Sequence, residues 1–239
     1  MALIILTSSP TGPLDNSRTV YGLDTYNNFP DVIRKYLKDN LRALIITADP
    51  YNYSANDEMC DFFRNAFEIS GYTFDTFDLC DDRYPFTKEE IETYDFIILG
   101  GGHVPTQMKF YEEINLREKL KDYDGVIMGI SAGSMNLADN VYVEPELEGE
   151  AVPEFLRDIK GLGLINLNVI PHYQMIKDKY LDGYRLMEDL VYKDSYGRHL
   201  ITIDDGSFII IDNDNIEYHG SFNVIEDGYI RKLNNYPPA

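Results

Sequence analysis

Cysteine, long apolar runs and basic residues are all scarce in this 239-residue chain. Its two cysteines, Cys60 and Cys80, are too few for a disulfide framework, which favours a reducing compartment, the cytoplasm. No stretch approaches the roughly 20 apolar residues needed to cross a bilayer, so no membrane-spanning segment is expected. The first residues lack the basic region of a signal peptide and are typical of a first β-strand.

Basic residues are outnumbered by acidic ones, 21 to 41, which gives a formal net charge of −20. A surface this negative repels phosphates, so neither nucleic acid nor an anionic membrane is an expected partner. The four histidines are scattered, and neither His-x-x-x-His nor Cys-x-x-Cys spacing occurs. Walker-type and dinucleotide fingerprints are lacking too, so neither a metal nor a cofactor is expected.

Short apolar runs alternate with longer amphipathic stretches through the first half of the chain. The runs have the length and composition of strands and cover Ala2–Leu6, Ala43–Thr47, Tyr72–Leu79, Phe96–Leu99 and Val126–Met128. Between them, Val32–Leu41 and Asp57–Ile69 carry apolar residues at the spacing of one helix face. Repeated β-α-β order predicts parallel strands with helices on both faces of the sheet. The expected fold class is therefore α/β, with a doubly wound, mostly parallel sheet.

The pattern changes after Leu200 to short strands separated by turn residues. These strands are predicted at Ile201–Ile203, Phe208–Ile211, Ile216–His219 and Asn223–Ile225. They are expected to form a C-terminal antiparallel hairpin extension of the sheet. Pro10–Asn28 and Glu144–Pro153 are predicted long loops, which are often functional. Because no linker, repeat or low-complexity segment divides the chain, residues 1–239 are expected to form a single domain.

The most informative segment is a G-x-S-x-G motif, Gly129-Ile-Ser131-Ala132-Gly133, between a strand pattern and a short helix pattern. At a nucleophile elbow the chain turns sharply from strand to helix and holds a serine in a strained conformation. Ser131 is therefore the predicted nucleophile of a hydrolase. The N–H of Ala132, at the start of the helix, is a natural donor to an oxyanion. The alternative interpretation is a glycine-rich turn needed only for packing.

A second glycine-rich segment, Gly100-Gly101-Gly102-His103, follows the strand pattern Phe96–Leu99. Glycines let a ligand approach the backbone closely. An oxyanion hole needs a second donor from a neighbouring strand-end loop, and the amide of Gly101 or Gly102 is the candidate. His103 adjoins this loop and is predicted to contact the substrate.

A serine nucleophile needs a base, and the chain offers His103, His172, His199 and His219. His172 follows the apolar run Leu164–Ile170, at the carboxyl end of a strand, which is the edge where doubly wound sheets build their sites. His199 enters a strand at the opposite edge, and His219 lies in the hairpin tail. By its position in the sequence, His172 is therefore the first candidate for the base.

An acid should orient this histidine and stabilise its imidazolium form. Asp204 and Asp205 follow the strand pattern Ile201–Ile203 at the correct edge. The residues alone leave the choice between these two carboxyl groups open.

Together these segments resemble the dipeptidase E / cyanophycinase family of serine peptidases, whose fold is related to that of class I glutamine amidotransferases. The resemblance extends from the first strand to the neighbourhood of Ile211. Besides the two glycine-rich segments, it rests on Gly161–Ile165 leading into Pro171-His172-Tyr173 and on Ile203-Asp204-Asp205-Gly206. The chain order Ser, His, acid differs from that of α/β-hydrolases, in which the acid precedes the histidine.

The resemblance implies that Ser131 attacks the carbonyl, that His172 is the base and that Asp205 is the acid. Asp205 stands where the family usually has Glu before Gly, and His103 where it often has Asn or Asp. The implied activity is that of a serine-type exopeptidase on small peptides, working through an acyl-enzyme, with aspartyl dipeptides among the family's substrates. The alternatives are an esterase or amidase on another small acyl substrate, or a non-catalytic ligand-binding protein. The expected partner is a small peptide substrate, and a homodimer is left open.

Overall fold

The computed structural model describes residues 2–12 and 21–233. Part of the predicted loop Pro10–Asn28, residues 13–20, lies outside these ranges. The single-domain prediction for residues 1–239 also extends beyond them and stays a prediction.

Strands alternate with helices along the first half of the chain, as the apolar runs predict. In chain order the strands are β1 (Leu3–Thr7), β2 (Leu41–Ile46), β3 (Phe74–Cys80), β4 (Phe96–Leu99), β5 (Val126–Ile130), β6 (Asn140–Tyr142), β7 (Asp158–Lys160), β8 (Asn168–Ile170), β9 (Tyr180–Leu181), β10 (Tyr184–Arg185), β11 (Leu200–Ile203), β12 (Phe208–Asp212), β13 (Asn215–His219), β14 (Phe222–Glu226) and β15 (Tyr229–Lys232). The five predicted strands of the first half correspond to β1–β5, with shifts of a few residues at their ends.

The central sheet has seven strands in the order β13-β12-β1-β5-β4-β2-β3. The neighbouring strands in the series β1-β5-β4-β2-β3 are all parallel. Next to β1, strand β12 pairs antiparallel with β1, and β13 pairs antiparallel with β12. The predicted α/β class with a mostly parallel sheet is confirmed.

Nine helical segments connect and flank the strands in the described ranges. They are α1 (Phe29–Ile33), α2 (Tyr53–Ile69), α3 (Lys88–Ile91), α4 (Val104–Glu113), α5 (Leu116–Lys119), α6 (Ala132–Met135), α7 (Tyr173–Ile176), a π-helix (Leu186–Val191) and α8 (Tyr192–Asp194). The longest, α2, contains the predicted helix Asp57–Ile69. Among the described residues, no helix is both long and apolar enough to span a membrane.

The predicted helix Val32–Leu41 is wrong beyond Ile33, where α1 ends. Turns follow α1, and Leu41 already begins β2. Leu37 and Leu41 are nevertheless buried. The apolar spacing indicates which side chains are buried in the core. Here irregular turns bury them, so the spacing does not require a helix.

Both faces of the central sheet are covered, which explains its continuous apolar strands. Successive side chains of a strand point to opposite faces. In β2, Ala43 packs into one core with Phe67 of α2, and the adjacent Leu44 packs into the other with Met108 of α4. Helices therefore lie on both faces, as the β-α-β order predicts.

The C-terminal extension is divided between two sheets. β12 and β13 extend the central sheet, whereas β11, β14 and β15 join β8 in a four-stranded sheet of order β15-β14-β11-β8. Within the smaller sheet, β8 and β11 are parallel and the other pairs are antiparallel. A third core, which includes Ile170, Leu186 and Leu200, lies against this sheet.

Candidate active site

The carboxyl ends of β1 and β5 lie side by side at one edge of the central sheet. Their register pairs Thr7 with Ile130, the last residue of each strand. The next residues along the chain, Ser8 and Ser131, therefore emerge together. Strand β4, which pairs with β5, delivers the Gly100–His103 loop to the same edge.

Ser131 joins β5 to α6 in a strained conformation, with φ 52° and ψ −116°. A non-glycine residue held at positive φ costs about 1–3 kcal/mol and persists only where the surroundings fix it. The flanking glycines show how tightly this turn is packed. A Cβ on Gly129 would lie 2.5 Å from the backbone N of Ser134, and one on Gly133 would overlap the carbonyl of Leu99. The G-x-S-x-G motif therefore has the elbow geometry that its sequence predicts.

His172 places its Nε2 atom 2.9 Å from Ser131 Oγ. It follows β8 through Pro171 and has a left-handed backbone, with φ 56°. The sequence places the preceding strand in the doubly wound sheet, and this is wrong, because β8 belongs to the four-stranded sheet. An apolar run identifies a buried strand but carries no information about which sheet it joins. His172 still lies at a carboxyl end of a strand.

Asp205 places Oδ1 2.6 Å from His172 Nδ1. The two residues meet because β8 and β11 are parallel neighbours and both side chains follow carboxyl ends. Asp204, the alternative left open by the sequence, makes no hydrogen bond to His172 among the described residues, and its Oδ1 is buried without a partner. A carboxylate only accepts hydrogen bonds, so His172 Nδ1 carries the proton and the Nε2 lone pair faces the Ser131 hydroxyl.

The Asp205 carboxyl is fully buried yet favours its ionised form. Burial by itself raises the pKa of this carboxyl, but hydrogen bonds from His172 and Ser8 outweigh that effect and lower the pKa below its usual value. At neutral pH Asp205 is therefore an anion beside the imidazole, and an anion there stabilises a protonated ring.

Ser8 is a site residue that the sequence does not reveal. Its hydroxyl donates to Asp205 Oδ1 at 2.6 Å and accepts the backbone N–H of His172 at 2.7 Å. The side chain is completely buried. It belongs to a segment interpreted only as a first strand, and its one signal is a hydroxyl at the carboxyl end of that strand.

The predicted oxyanion donors surround Ser131. A Cβ on Gly101 would lie 3.4 Å from Ser131 Cβ, and Gly102 lines the same cavities as Ser131. Ala132 is buried directly after the serine. In the described ranges the amides of Gly101 and Gly102 have no hydrogen-bond partner. These groups are available to an incoming oxygen.

His103 lines the cavity at Ser131, but protein groups bind both of its ring nitrogens. Nδ1 lies 2.8 Å from Thr106 Oγ1, and Nε2 lies 2.9 Å from Glu150 Oε1. The other two histidines line neither cavity at Ser131: His199 pairs with Glu226, and His219 stacks on the ring of Phe208.

The loop predicted at Glu144–Pro153 forms a wall of the site and is pinned at several points. The second carboxylate oxygen of Glu150 accepts the N–H groups of Glu146 and Leu147, both at 2.9 Å. The carboxylate of Asp182 accepts two further N–H groups of this loop. The His103–Glu150 contact thus ties the loop to the glycine-rich segment.

Two cavities meet at Ser131 and His172. The smaller, of about 80 Å³, is the more enclosed. The larger, of about 770 Å³, is open to solvent along α2. Polar and charged residues of the smaller cavity include His103, Glu144, Glu146 and Lys179, and those of the larger include Ser8, Ser9, Thr11 and Glu58.

Glu144, another residue absent from the sequence predictions, lines the smaller cavity. Its Oε2 atom is buried and has no hydrogen-bond partner among the described residues. The pKa of this carboxyl is raised to about 7, chiefly because burial disfavours the charged form; the nearby Glu146 adds to the rise, while its own backbone N–H, His172 and Lys179 oppose it. Near neutral pH the group is therefore close to its titration midpoint.

Comparison with protein-family models identifies residues 22–219 as a match to peptidase family S51. The chain belongs to this family. It is a serine peptidase, and the resemblance to the dipeptidase E family drawn from its motifs is confirmed. Gly101, Gly102, Ser131, His172 and Asp205 all lie inside the matched segment, whereas Ser8 precedes it.

The S51 chain also resembles a solved structure of a candidate peptidase E protein from Listeria monocytogenes EGD-e. The two share 14% sequence identity, and the match covers 98% of this chain and 100% of the other, with a TM-score of 0.58. At this identity the likeness establishes the fold. A comparison with curated proteins finds no match. Cytoplasmic location and oligomeric state stay predictions.

Proposed function

We propose that this S51 peptidase is an exopeptidase that hydrolyses small peptides, with Ser131 as nucleophile, His172 as base and Asp205 as orienting acid. The observation that carries the proposal is the hydrogen-bonded series Ser131–His172–Asp205, with distances of 2.9 Å and 2.6 Å. A serine becomes an effective nucleophile when a base removes its proton, and a third group must hold that base in the correct tautomer.

The first half of the reaction forms an acyl-enzyme. As Ser131 Oγ bonds to the substrate carbonyl carbon, its proton moves to His172 Nε2, and Asp205 stabilises the imidazolium. The N–H groups of Ala132 and of Gly101 or Gly102 receive the developing oxyanion. The imidazolium then gives its proton to the leaving amine, and the C–N bond breaks.

The second half returns the enzyme to its starting state. His172 removes a proton from a water molecule, which attacks the ester carbon of the acyl-enzyme. The proton then passes to Ser131 Oγ as the ester bond breaks and the acid product leaves.

The unequal cavities favour an exopeptidase that acts on small peptides. The enclosed cavity of about 80 Å³ suits a single small aminoacyl residue, and the open cavity accepts a leaving fragment of variable length. Lys179 is the cationic side chain of the enclosed cavity, where its Nζ donates to the carbonyl of Glu146 at 3.0 Å. An ammonium at this place supports aspartyl dipeptides as the first substrates to test.

Two measurements test the proposal. A fluorophosphonate probe should label the wild-type protein at Ser131, because only an activated serine reacts efficiently. A panel of Asp-X dipeptides, other dipeptides, N-blocked peptides and small esters should then give the highest kcat/KM for unblocked dipeptides. Preference for esters or simple amides over every peptide would identify the protein as an esterase or amidase instead.

A further inference from the structure

The Glu144 carboxyl has no role in the proposed reaction. The walls of its cavity are otherwise largely apolar: Val104, Met135, Val143, Pro145, Ile176 and Leu186. A buried carboxylate oxygen without a partner is costly, because that atom has lost water and gained no donor. Such an atom at the wall of a substrate cavity is satisfied when the ligand supplies the donor.

The ligand group that fits is constrained by covalent geometry. In a peptide cleaved after its first residue, the α-amine lies two bonds from the carbonyl carbon that the nucleophile attacks. Its counter-charge must therefore line the same cavity as the nucleophile and the base. Glu144 shares the enclosed cavity with Ser131 and His172, and it lies near enough to His172 for a charge on the imidazole to lower the pKa of its carboxyl.

Resting on the proposed exopeptidase function, we propose that Glu144 binds the free α-ammonium of the substrate and so restricts the enzyme to peptides with an unblocked N-terminus. The ammonium donates to the unpartnered Oε2 atom, while the carbonyl of the same residue faces Ser131. Glu144 is a specificity-determining residue in this arrangement and takes no part in the proton transfers.

Glu144 stands at the start of a loop that is fixed before the substrate arrives. Glu150 and Asp182 pin this loop through backbone N–H groups, and Lys179 donates to the carbonyl of Glu146 in the same loop. A binding group fixed in advance loses little conformational entropy on binding. The other acidic residues of the two cavities, Glu58, Asp61 and Glu146, are exposed, so water competes for their charge.

The test compares a free dipeptide with its N-acetylated form in wild type, Glu144→Gln and Glu148→Gln. Glu148 is exposed, lies in the same loop and does not line the cavity, so its variant is the matched control. Wild type and Glu148→Gln should favour the free amine in kcat/KM by roughly 10- to 100-fold, the usual worth of a hydrogen bond between charged groups. Glu144→Gln should bring this preference to within about threefold by weakening the free dipeptide alone.

Two outcomes would overturn the inference: an undiminished preference in Glu144→Gln, or an equal loss for both substrates. Fluorophosphonate labelling of Glu144→Gln at the wild-type rate establishes that its nucleophile is intact. Calorimetry can measure the same preference without turnover. It compares the binding of the free and acetylated dipeptides to the Ser131→Ala variant, with and without Glu144→Gln. A wild-type enzyme that cleaves no peptide contradicts the proposed function, whereas a binding preference independent of Glu144 contradicts only this inference.

Discussion

The hydroxyl of Ser8 lies 2.6 Å from Oδ1 of Asp205, the same oxygen that accepts from the ring of His172. Ser8 also accepts the backbone N–H of His172, so one buried hydroxyl fixes the carboxylate and the backbone that carries the base. It contacts no reacting atom of the proposed mechanism and acts as a positioning residue.

Ser8→Ala should lower kcat/KM by roughly 10- to 100-fold, because it leaves the buried His172 N–H unpaired and removes a donor from Asp205. It should also move the acid limb of the pH profile upward, since the lost donor had lowered the pKa of Asp205. Ser8→Thr, which keeps the hydroxyl, should recover part of the rate.

The matched control for Ser8 is Ser195→Ala. Ser195 is equally buried and likewise donates one hydrogen bond and accepts another, to Tyr192 and from Gly228, and it lines neither cavity at Ser131. Both variants should lose similar thermal stability, but only Ser8→Ala should change the pH profile. Identical profiles for the two would assign Ser8 a purely structural role.

Ser131→Ala should abolish hydrolysis and keep the fold, since the hydroxyl contributes no packing at the elbow. Loss of a nucleophilic serine leaves only binding and oxyanion stabilisation, on the order of 10⁶-fold below the parent in kcat. The measurement is turnover of a cleaved dipeptide, together with a thermal melt. Retention of more than about a tenth of the wild-type rate would exclude Ser131 as the nucleophile.

Asp205→Asn should reduce turnover far more than Asp204→Asn. An asparagine keeps the shape but favours the wrong imidazole tautomer, a change that costs roughly 10⁴ in kcat in another serine protease. The two variants control for each other, because they are adjacent and chemically identical. The reverse ranking would transfer the orienting role to Asp204.

Activity should be lost in acid, because a protonated His172 cannot accept the proton of Ser131. The measurement is kcat/KM for a dipeptide across the acid range. A kcat/KM that does not fall at acid pH would contradict a histidine base.

Glu144→Gln should stabilise the fold more at high pH than at low pH. The folded-state pKa of Glu144 is raised to about 7, so ionising the carboxyl opposes folding. Stability is therefore lost as the pH rises from the ordinary carboxyl range through 7, and the glutamine variant escapes this loss. Its advantage in the free energy of unfolding should grow by about 1–3 kcal/mol between pH 5 and 8, and denaturant unfolding at both values measures it. An advantage that is constant with pH would mean that Glu144 ionises freely in the folded protein.

Features set by local chain geometry were predictable from the sequence. The Ser131 elbow is announced by its own motif, in which Gly129 lies against the backbone of Ser134 five positions on, and β4 was predicted with its observed bounds, Phe96–Leu99. Ser8 was not predictable, because its contacts to His172 and Asp205 span 164 and 197 positions of the chain. The burial of the Glu144 carboxyl was not predictable either, because the residues that surround it come from distant segments of the chain.

The proposed nucleophile and its base are attached to different sheets. Ser131 extends from the central sheet, whereas His172 and Asp205 both extend from the four-stranded sheet. The base and its acid are therefore a rigid pair, and a slight tilt of one sheet against the other would separate Ser131 from that pair without disturbing it. Ser8, at the end of β1 in the central sheet, is hydrogen-bonded to both members of the pair and so connects the two sheets beside the proposed nucleophile.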